Sequence, residues 1–441
     1  MSGLAEILCK SGYEVTGSDL KLSRLTDKLT GLGIKVYENH KAEDIDGAEL
    51  LVYNARIRKD NPELVRASEC GIPIIDRATL LGYLSDRYPK SMGISGTHGK
   101  TTTTSMAAMI LLEAGLDPTI HIGGELQAIG GTTRTGSGEF FVTEADEYSA
   151  SFLKLHNYVA VILNIEFDHP DFYRDQEHVK ATFLNYAQNV PEDGFVVGCS
   201  DDPAVVDILG KAGRNIVTYG FGIGESIPDW TAKNICFDEN GSTSFDLIHS
   251  GETVVHINMM VPGRHNIYNA MAAAAACTLM GCSAEHVRKA LEVFRGAGRR
   301  FESKGYYNGA KIVDDYAHHP SEIRATLAGA RNMRHKKLWC VFQPHTYTRT
   351  ASLLNEFAAS FEDADEVIIA DIFSATENNT GSINSRTLSE RIAATGKKPV
   401  YLESFEAIVD HLAARVQPGD MVMTIGAGDI FAVGEMLAAR S

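Results

Sequence analysis

The sequence has no apolar run long enough to cross a membrane and no paired cysteines. Nowhere in its 441 residues do apolar residues approach the ~20 in succession that a bilayer-spanning helix needs. The start lacks the basic and then apolar segments of a signal peptide. The seven cysteines are scattered, without a C-x-x-C pair or a Cys/His cluster at zinc spacing, which fits a reducing compartment. We therefore expect a soluble, cytoplasmic protein without a membrane partner.

Positive charge is also scarce. The formal net charge is -16, and the sequence has no block of lysine and arginine. Nucleic-acid binding depends on a basic face that neutralises phosphates, so nucleic acid is excluded as a partner. An acidic chain that binds an anionic nucleotide must concentrate its cations locally. Lys100, Arg299, Arg300 and Arg349 are the places where it does so.

Internal repeats and low-complexity tracts are absent too, and the length predicts about three domains. Strand and helix patterns alternate through most of the chain, which indicates the α/β class with parallel sheets. We predict a Rossmann-like domain over residues 1–88 and a central P-loop domain with a mostly parallel sheet over residues 89–296. A Rossmann-like α/β domain with five strands in an open parallel sheet follows over residues 297–441.

The first domain begins with a helix, whereas a Rossmann-like unit places a strand and a glycine loop ahead of that helix. We therefore expect this domain to be incomplete at its start, with Ser2 and Gly3 as the tail of the loop. Asp19 closes a later strand. An acid there contacts a ribose in dinucleotide-type folds, although it also serves as an ordinary cap.

Residues 91–104 read SMGISGTHGKTTTT, a short strand followed by a glycine-rich turn and a helix start. Ile94 stands where the strict P-loop pattern has glycine, and the glycines fall instead at Gly93, Gly96 and Gly99. Backbone N–H groups of such a turn cradle phosphate oxygens, Lys100 reaches the outer phosphates, and a threonine hydroxyl binds Mg2+. The pattern predicts a nucleoside triphosphate site, against the alternative of a turn without a ligand.

Three further groups of residues carry candidate chemistry. Glu144 ends an apolar strand in the P-loop domain, where a carboxylate commonly holds Mg2+; the alternative is a solvated acidic turn. His169 also follows a strand and is either a second metal ligand or a structural histidine. His265 and Asn269 begin an alanine-rich helix, where an amide matches an adenine edge but is also an ordinary helix-start residue.

Eight segments appear together in one order, and with them the sequence resembles the Mur ligase family over essentially its whole length. The segments are GTHGKTTTT, EADEYSASFL, NIEFDHPD, PGRHNIYNA, GAGRRFE, DDYAHHPSEI, FQPHTYTRT and GAGD. Two of them, DDYAHHPSEI and FQPHTYTRT, resemble the branch of the family that adds alanine.

The resemblance implies ATP-dependent ligation of L-alanine to the lactyl carboxylate of UDP-N-acetylmuramate through an acyl phosphate, in peptidoglycan precursor synthesis. ATP and Mg2+ are the implied cofactors, and a monomer or weak homodimer is expected. Two alternatives stay open: the tripeptide ligase of murein recycling, and a non-catalytic nucleotide- or UDP-sugar-binding protein. If the first domain is incomplete, weaker UDP-N-acetylmuramate binding is expected than for a form extended by the strand and loop.

The resemblance also implies roles for individual residues. The implied catalytic residues are Lys100, Glu144, His169, Arg300, His318 and Arg349. The implied ATP-binding residues are Gly96, Thr97, His98, Gly99, Lys100, Thr101, Thr102, His265, Asn269, Arg299, Arg300 and Asp315. The implied substrate-binding residues are Ser2, Gly3, Asp19, His98, Tyr316, His318, His345 and Arg349. The implied metal ligands are Thr101, Glu144 and His169.

Two positions depart from the family pattern. Thr346 stands where some members have arginine, which shifts substrate-carboxylate contacts toward Arg349. Tyr53 and Asn54 replace small hydroxyl residues at the expected UDP-sugar contact. Lys180 cannot be assigned the carbamylated-lysine role that several family members carry.

Overall fold

The computed structural model describes residues 1–55, 57–222, 227–375, 377–379, 381 and 383–440. Three groups of strands follow one another along the chain, each with its own helices. Among the described residues, none of the helices combines the length and apolarity that a membrane-spanning helix needs.

The N-terminal part contains two separate pairs of parallel strands, where the sequence predicted one parallel sheet. β1 pairs with β2, and β3 pairs with β4, with no ladder between the two pairs among the described residues. Strand β2 was not predicted, because its short half-exposed run carries a weak alternation. The elements are α1 (Ser2–Lys10), β1 (Thr16–Asp19), α2 (Arg24–Gly31), β2 (Lys35–Glu38), a 3-10 helix (Ala42–Ile45), β3 (Leu51–Tyr53), α3 (Pro62–Cys70), β4 (Ile74–Asp76) and α4 (Arg77–Ser85).

The central part is built on a ten-stranded sheet in the order β14-β13-β12-β11-β10-β9-β5-β8-β6-β7. Its first elements are β5 (Lys90–Ser95), α5 (Lys100–Glu113), β6 (Thr119–Leu126), a 3-10 helix (Gln127–Ile129), β7 (Gly131–Arg134), β8 (Phe140–Glu144), a 3-10 helix (Tyr148–Lys154), β9 (Val159–Ile162), α6 (Gln176–Gln188) and β10 (Phe195–Cys199). The remaining elements are α7 (Pro203–Ala212), β11 (Asn215–Tyr219), β12 (Trp230–Phe237), β13 (Thr243–His249), β14 (Glu252–Met259), α8 (Arg264–Leu279) and α9 (Ala284–Val293).

The ladders from β6 to β12 are parallel, as predicted for most of this sheet. The sequence analysis did not predict the meander β12-β13-β14, which extends the sheet with antiparallel strands.

Alanines of α8 bring two helices close together under this sheet. Residues 270–276 of α8 are at most 1% exposed, and the Cys277 thiol lies 3.6 Å from the Ala107 carbonyl oxygen of α5. Small side chains allow helix backbones to approach closely, which is the packing that the alanine-rich sequence predicted. The contact holds α8, whose first two turns carry His265 and Asn269, against the helix that follows the glycine loop.

The C-terminal part contains a six-stranded sheet in the order β15-β16-β20-β17-β18-β19. All five predicted strands are present and parallel, and β15 adds an antiparallel edge strand that was not predicted. The elements are β15 (Glu302–Tyr307), β16 (Ala310–Asp315), α10 (Pro320–Arg331), β17 (Leu338–Phe342), α11 (Tyr347–Ser352), α12 (Leu354–Ala358), β18 (Glu366–Ile369), α13 (Ser385–Ala393), β19 (Val400–Tyr401), α14 (Phe405–Ala413), β20 (Met421–Ile425) and α15 (Phe431–Ala438).

Candidate functional site

Three neighbouring strands of the central sheet carry most of the predicted site at one edge. The order β9-β5-β8 places β5 in the middle, and all three strands are parallel. The glycine loop follows β5, Glu144 ends β8, and His169 lies in the segment after β9. The carboxyl ends of parallel strands meet at one edge, so these residues come together there.

The three spaced glycines have different physical roles. Gly93 lies inside β5, where an added Cβ would fall 2.0 Å from Asn157 Oδ1, so it serves packing. Gly96 and Gly99 have φ of +139° and +83°, which disfavours any side chain, and a Cβ on Gly99 would fall 2.6 Å from Asn269 Oδ1. Because Gly99 precedes α5 without a side-chain cap, the first amides of this helix are free to meet an anion.

Lys100 extends back across its own loop. Its Nζ donates to the carbonyl oxygens of Gly96 at 2.5 Å and Thr97 at 3.1 Å, and to Glu147 at 2.9 Å. Burial lowers the pKa of Lys100, but the neighbouring carboxylates, Glu147 foremost, more than offset it and raise that pKa. The ammonium is therefore held charged beside the loop. Sequence reasoning assigned no role to Glu147, although it belongs to the acidic group after β8.

Thr101 and Glu144 offer oxygen ligands next to the loop. The Glu144 carboxylate accepts a hydrogen bond from the Gly123 amide at 2.6 Å, and the nearby Thr101 side chain favours its charged form. Burial raises the pKa of Glu144, so a cation there would favour its charged form. A hydroxyl and a carboxylate are hard ligands of the kind Mg2+ prefers, and these two residues fit that ion.

His169 contacts two other acids. Its Nε2 lies 3.7 Å from Glu147 Oε1 and 3.8 Å from Asp168 Oδ2. Burial lowers the pKa of His169, but hydrogen bonding with Glu147 and the charge of Asp168 raise it. The residue has φ of +55°, a conformation that costs about 1–3 kcal/mol outside glycine. Its role at a second metal ion stays a prediction.

His98 connects the glycine loop to the C-terminal part. Its Nδ1 lies 3.4 Å from Glu322 Oε1 of α10, and its Nε2 lies 3.4 Å from Glu166 Oε2. Burial lowers the pKa of His98, but the two glutamates raise it to about 9. The ring also lies 4.6 Å from that of His319, centroid to centroid. Neither glutamate was singled out by the sequence analysis.

A cavity of about 400 Å3 opens beside the glycine loop, between the central and C-terminal parts. The sequence-predicted residues that line it are His98, Gly99, Thr102, His265, Asn269, Arg300 and Asp315. Burial lowers the pKa of His265 to about 4, so its imidazole is neutral. The Asn269 amide donates to Asn266 Oδ1 at 3.1 Å. Predicted ATP-binding residues more than two hundred positions apart, such as His98 and Asp315, thus share one cavity.

Arg299 and Arg300 point to different surroundings. The Arg299 guanidinium donates to Asp314 Oδ2 at 2.9 Å and to the carbonyl oxygens of Gly426 and Gly428 at 2.7 and 2.9 Å. Arg300 lines the cavity, and its Nη1 lies 3.8 Å from Glu322 Oε1. The geometry therefore commits Arg299 to the C-terminal sheet and leaves Arg300 facing the larger cavity.

Asp315 at the end of β16, together with Ser321 and Glu322 of α10, lines the cavity from the C-terminal part, and His318 lies in the segment between them. Asp315 accepts hydrogen bonds from the amides of Phe301 at 2.8 Å and Ala317 at 2.9 Å, and burial raises its pKa to about 6. His318 contacts the Tyr316 carbonyl oxygen at 3.0 Å through Nδ1. Burial lowers the pKa of His318 to about 3, which keeps its imidazole neutral.

His345 and Arg349 lie together near His318. The rings of His318 and His345 are 5.9 Å apart, and Arg349 Nη1 lies 3.1 Å from His345 Nδ1. The Arg349 guanidinium also donates to both carboxylate oxygens of Asp168, at 2.9 and 3.2 Å. Asp168 therefore forms a salt bridge with Arg349, the arginine that was predicted to bind a substrate carboxylate.

The predicted N-terminal residues Ser2, Gly3 and Asp19 do not line the larger cavity. Gly3 packs closely on the central part, because an added Cβ would fall 2.2 Å from Thr133 Oγ1 and 2.9 Å from His121 Nδ1. Ser2 begins α1, and Asp19 ends β1, where its carboxylate accepts the Lys21 amide at 3.2 Å. That contact favours the capping interpretation of Asp19 in this structure.

A smaller cavity of about 110 Å3 lies between α4 and the acidic strand end. Its lining includes Arg77, His121, Gly123, Glu144 and Asp146. Arg77 Nη2 lies 3.1 Å from His121 Nε2. Arg77 and His121 were not predicted from the sequence, because only the folded chain brings this arginine of α4 beside His121 of β6 and into one cavity with Glu144.

Comparison with known proteins agrees with this arrangement. The family description "Mur ligase family, catalytic domain" matches residues 1–89, "Mur ligase middle domain" matches residues 94–277, and "Mur ligase, glutamate ligase domain" matches residues 299–428. The UDP-N-acetylmuramate--L-alanine ligase of Acetivibrio thermocellus is 53% identical over 436 residues, which cover 99% of this chain and 92% of that protein.

Solved structures agree at the level of the whole fold. The UDP-N-acetylmuramate-alanine ligase MurC of Thermotoga maritima superposes with a TM-score of 0.82 at 27% identity, covering 100% of this chain and 96% of that one. A murein peptide ligase of Psychrobacter arcticus has a TM-score of 0.72 at 24% identity, with 100% and 96% covered, and shares the fold. The three matched domains and the full-length relative show that this chain belongs to the Mur ligase family.

Proposed function

We propose that this chain joins L-alanine to the lactyl carboxylate of UDP-N-acetylmuramate at the expense of ATP, with an acyl phosphate as intermediate. The observation that carries the proposal is its 53% identity, over 99% of the chain, to a protein named for that reaction. The cavities and charges of the site supply a physical account of the chemistry. Such a ligase would serve the synthesis of peptidoglycan precursors.

The nucleotide half of the reaction belongs to the larger cavity. ATP would lie with its phosphates on the first amides of α5 and its base toward His265 and Asn269, with Arg300 reaching a phosphate across the interface. The neutral imidazole of His265 and the Asn269 amide suit a neutral heterocycle with donors and acceptors. The alternative role of Arg299 at phosphate is disfavoured by its three contacts inside the C-terminal sheet.

The acceptor half belongs to the smaller cavity. A carboxylate entering there would meet the Arg77 cation, and Glu144 lines the same cavity. Thr101, a neighbour of Glu144, lies in the first turn of the helix that meets the phosphates. Thr101 thus stands between the glycine loop beside the larger cavity and Glu144, which lines the smaller one. When bound by these two oxygen ligands, Mg2+ would neutralise phosphate charge and orient the γ-phosphoryl group.

The chain's own residues then have two tasks. In the first step a carboxylate oxygen attacks the γ-phosphorus, and the bond to ADP breaks; Lys100 and Arg300 stabilise the charge on the phosphates. In the second step the alanine nitrogen attacks the acyl carbon, inorganic phosphate leaves, and the nitrogen loses its proton. Tyr316, His318, His345 and Arg349 surround the proposed alanine side. We propose that Arg349 exchanges Asp168 for a substrate carboxylate there.

Phosphate release with UDP-N-acetylmuramate and single amino acids tests the function. L-Alanine should support release far better than glycine or L-serine, and mass spectrometry should find the alanyl product. Dependence on a tripeptide in place of alanine would move the chain to the recycling branch. Tight UDP-N-acetylmuramate binding without any product would favour the non-catalytic alternative.

Substitution of Lys100 tests the site itself. Lys100→Ala should lower kcat by roughly a thousandfold, as expected when a preorganised charge at the transition state is lost. Lys337→Ala removes an exposed lysine of the C-terminal sheet and should leave turnover unchanged. Full activity of the Lys100→Ala protein would remove the phosphate loop from the mechanism.

A further inference from the structure

A second group of ligand-type side chains lies beside the glycine loop, away from Thr101 and Glu144. It consists of His98 in the loop, Glu166 after β9 and His319 directly before α10. One donor atom from each side chain lies within 4.8 Å of the other two. Glu166 Oε2 is 3.4 Å from His98 Nε2 and 3.6 Å from His319 Nδ1. Two imidazoles and a carboxylate therefore converge on one point between the central and C-terminal parts.

The two histidines leave hydrogen-bonding capacity unused. The Nε2 atoms of His98 and His319 are both buried and make no hydrogen bond within the described structure. The His319 side chain is only 6% exposed. Buried polar atoms without partners are rare in folded proteins, and they call for a physical explanation such as an ion that the residues hold.

Glu322 contacts the ring nitrogen of His98 that does not face Glu166. Its Oε1 lies 3.4 Å from His98 Nδ1, on the side of the ring opposite Glu166. Metal-binding histidines usually donate their other ring N–H to a carboxylate, which fixes the ring orientation and strengthens the ligand nitrogen. Ser321 similarly donates to Glu166 Oε2. The candidate ligands are thus held in place by neighbours from the first turn of α10.

We propose that His98, Glu166 and His319 bind a divalent transition-metal ion, Zn2+ by preference, across the interface of the central and C-terminal parts. Bonds of about 2.0–2.1 Å at tetrahedral angles place ligand atoms about 3.4 Å apart, which matches the separation of His98 Nε2 and Glu166 Oε2. Imidazole nitrogen favours Zn2+ over Mg2+, whereas Thr101 and Glu144 offer oxygen alone. The fourth position is left for water or a substrate group.

The position of the proposed Zn2+ site predicts what metal binding would do to the protein. Two ligands belong to the central part and one to the C-terminal part, so the ion joins the two walls of the nucleotide cavity. Because the proposed ligase must open and close this cavity in each cycle, Zn2+ should slow turnover while it raises the unfolding temperature. The binding itself does not depend on the proposed reaction, so it is measured without nucleotide or substrate.

Calorimetry and cobalt spectroscopy test the site in the full-length, chelator-treated protein. Zn2+ should bind at one saturable site that millimolar Mg2+ does not displace. Co2+ in its place should give the visible d–d bands of a tetrahedral nitrogen and oxygen site without a sulfur charge-transfer band. A sulfur band would assign the metal to cysteines and overturn the proposal. Absence of saturable binding would overturn it as well.

Three variants and a control locate the ligands. His319→Asn keeps an acceptor for the Ser321 amide, and Glu166→Gln keeps one for the Ser321 hydroxyl, so both preserve the local fold. Each should weaken Zn2+ binding by roughly a hundredfold, and Glu322→Gln by roughly tenfold. His256→Asn changes an exposed histidine on β14 and should bind like the unchanged protein. Undiminished Zn2+ affinity in both ligand variants would overturn the proposal.

Discussion

Asp168 and Arg349, which are 181 positions apart, form a two-point salt bridge between the segment after β9 and helix α11. Both side chains are 6% exposed. The Arg349 charge holds the pKa of Asp168 well below its usual range, against the effect of burial. The Asp168 carboxylate also accepts the His169 amide at 2.7 Å. The pair therefore joins the central and C-terminal parts next to a proposed metal ligand.

Arg349→Met should destabilise the protein because it leaves Asp168 charged, buried and unpaired. The expected loss is about 3–5 kcal/mol in the free energy of unfolding, measured by thermal and urea denaturation of the ligand-free protein. Arg331→Met is a matched control, because Arg331 pairs with Asp365 at the surface and should cost about 1 kcal/mol or less. Equal losses in the two variants would contradict this account of the buried pair.

Gly99→Ala should abolish ATP binding through a steric effect. The added methyl group would fall 2.6 Å from Asn269 Oδ1, in a backbone with φ of +83°. Gly213→Ala is the control for backbone strain alone, since Gly213 has φ of +64° at the end of α7 and nothing within 4 Å. It should cost about 1 kcal/mol of stability and leave ATP affinity intact. Calorimetric titration with ATP distinguishes the two, and unchanged affinity in Gly99→Ala would refute the steric argument.

Substitution of Arg299 by methionine should affect stability, whereas substitution of Arg300 by methionine should affect ATP binding. Arg299→Met leaves the fully buried Asp314 unpaired, so it should lower the unfolding temperature. Arg300→Met should leave that temperature nearly unchanged and raise the KM for ATP by roughly tenfold or more, because a charge facing phosphate is lost. Steady-state kinetics with thermal unfolding of both proteins checks the contrast. The reverse pattern would exchange the two assignments.

His121 should give the protein an acid-sensitive stability. Burial, with help from the Arg77 charge, lowers its pKa to about 3 from 6.5. Because the unfolded chain binds a proton that the folded protein excludes, the stability present above pH 6.5 should be lost as pH falls toward 3, by up to about 1.4 kcal/mol per pH unit. His121→Gln should flatten this slope in thermal unfolding, whereas His256→Gln at the surface should not. An unaltered slope in His121→Gln would disprove the linkage.

Much of the site could be predicted because its residues follow strand ends in the sequence itself. The loop after β5, Glu144 at the end of β8 and Asp315 at the end of β16 lie where the strand pattern placed them. The residues that contact them could not be predicted in the same way. Glu322 and Glu166 sit among ordinary helix-start and loop residues. Glu322 reaches His98 only through the approach of α10 to the glycine loop, and Glu166 only through the pairing of β9 with β5.

Features set by interactions between neighbouring residues could be predicted from the sequence, whereas features set by contacts between distant residues could not. Hydrophobic alternation, glycine conformations and helix starts are set within a few residues, so the sequence by itself determined the α/β class, the glycine-rich turn before α5 and the family resemblance. The tertiary structure alone decided that Gly93 serves packing, that Arg300 rather than Arg299 faces the cavity, and that Arg349 holds Asp168. Each of these depends on side chains far apart in the chain, whose burial and pairing arise only when the sheets pack together.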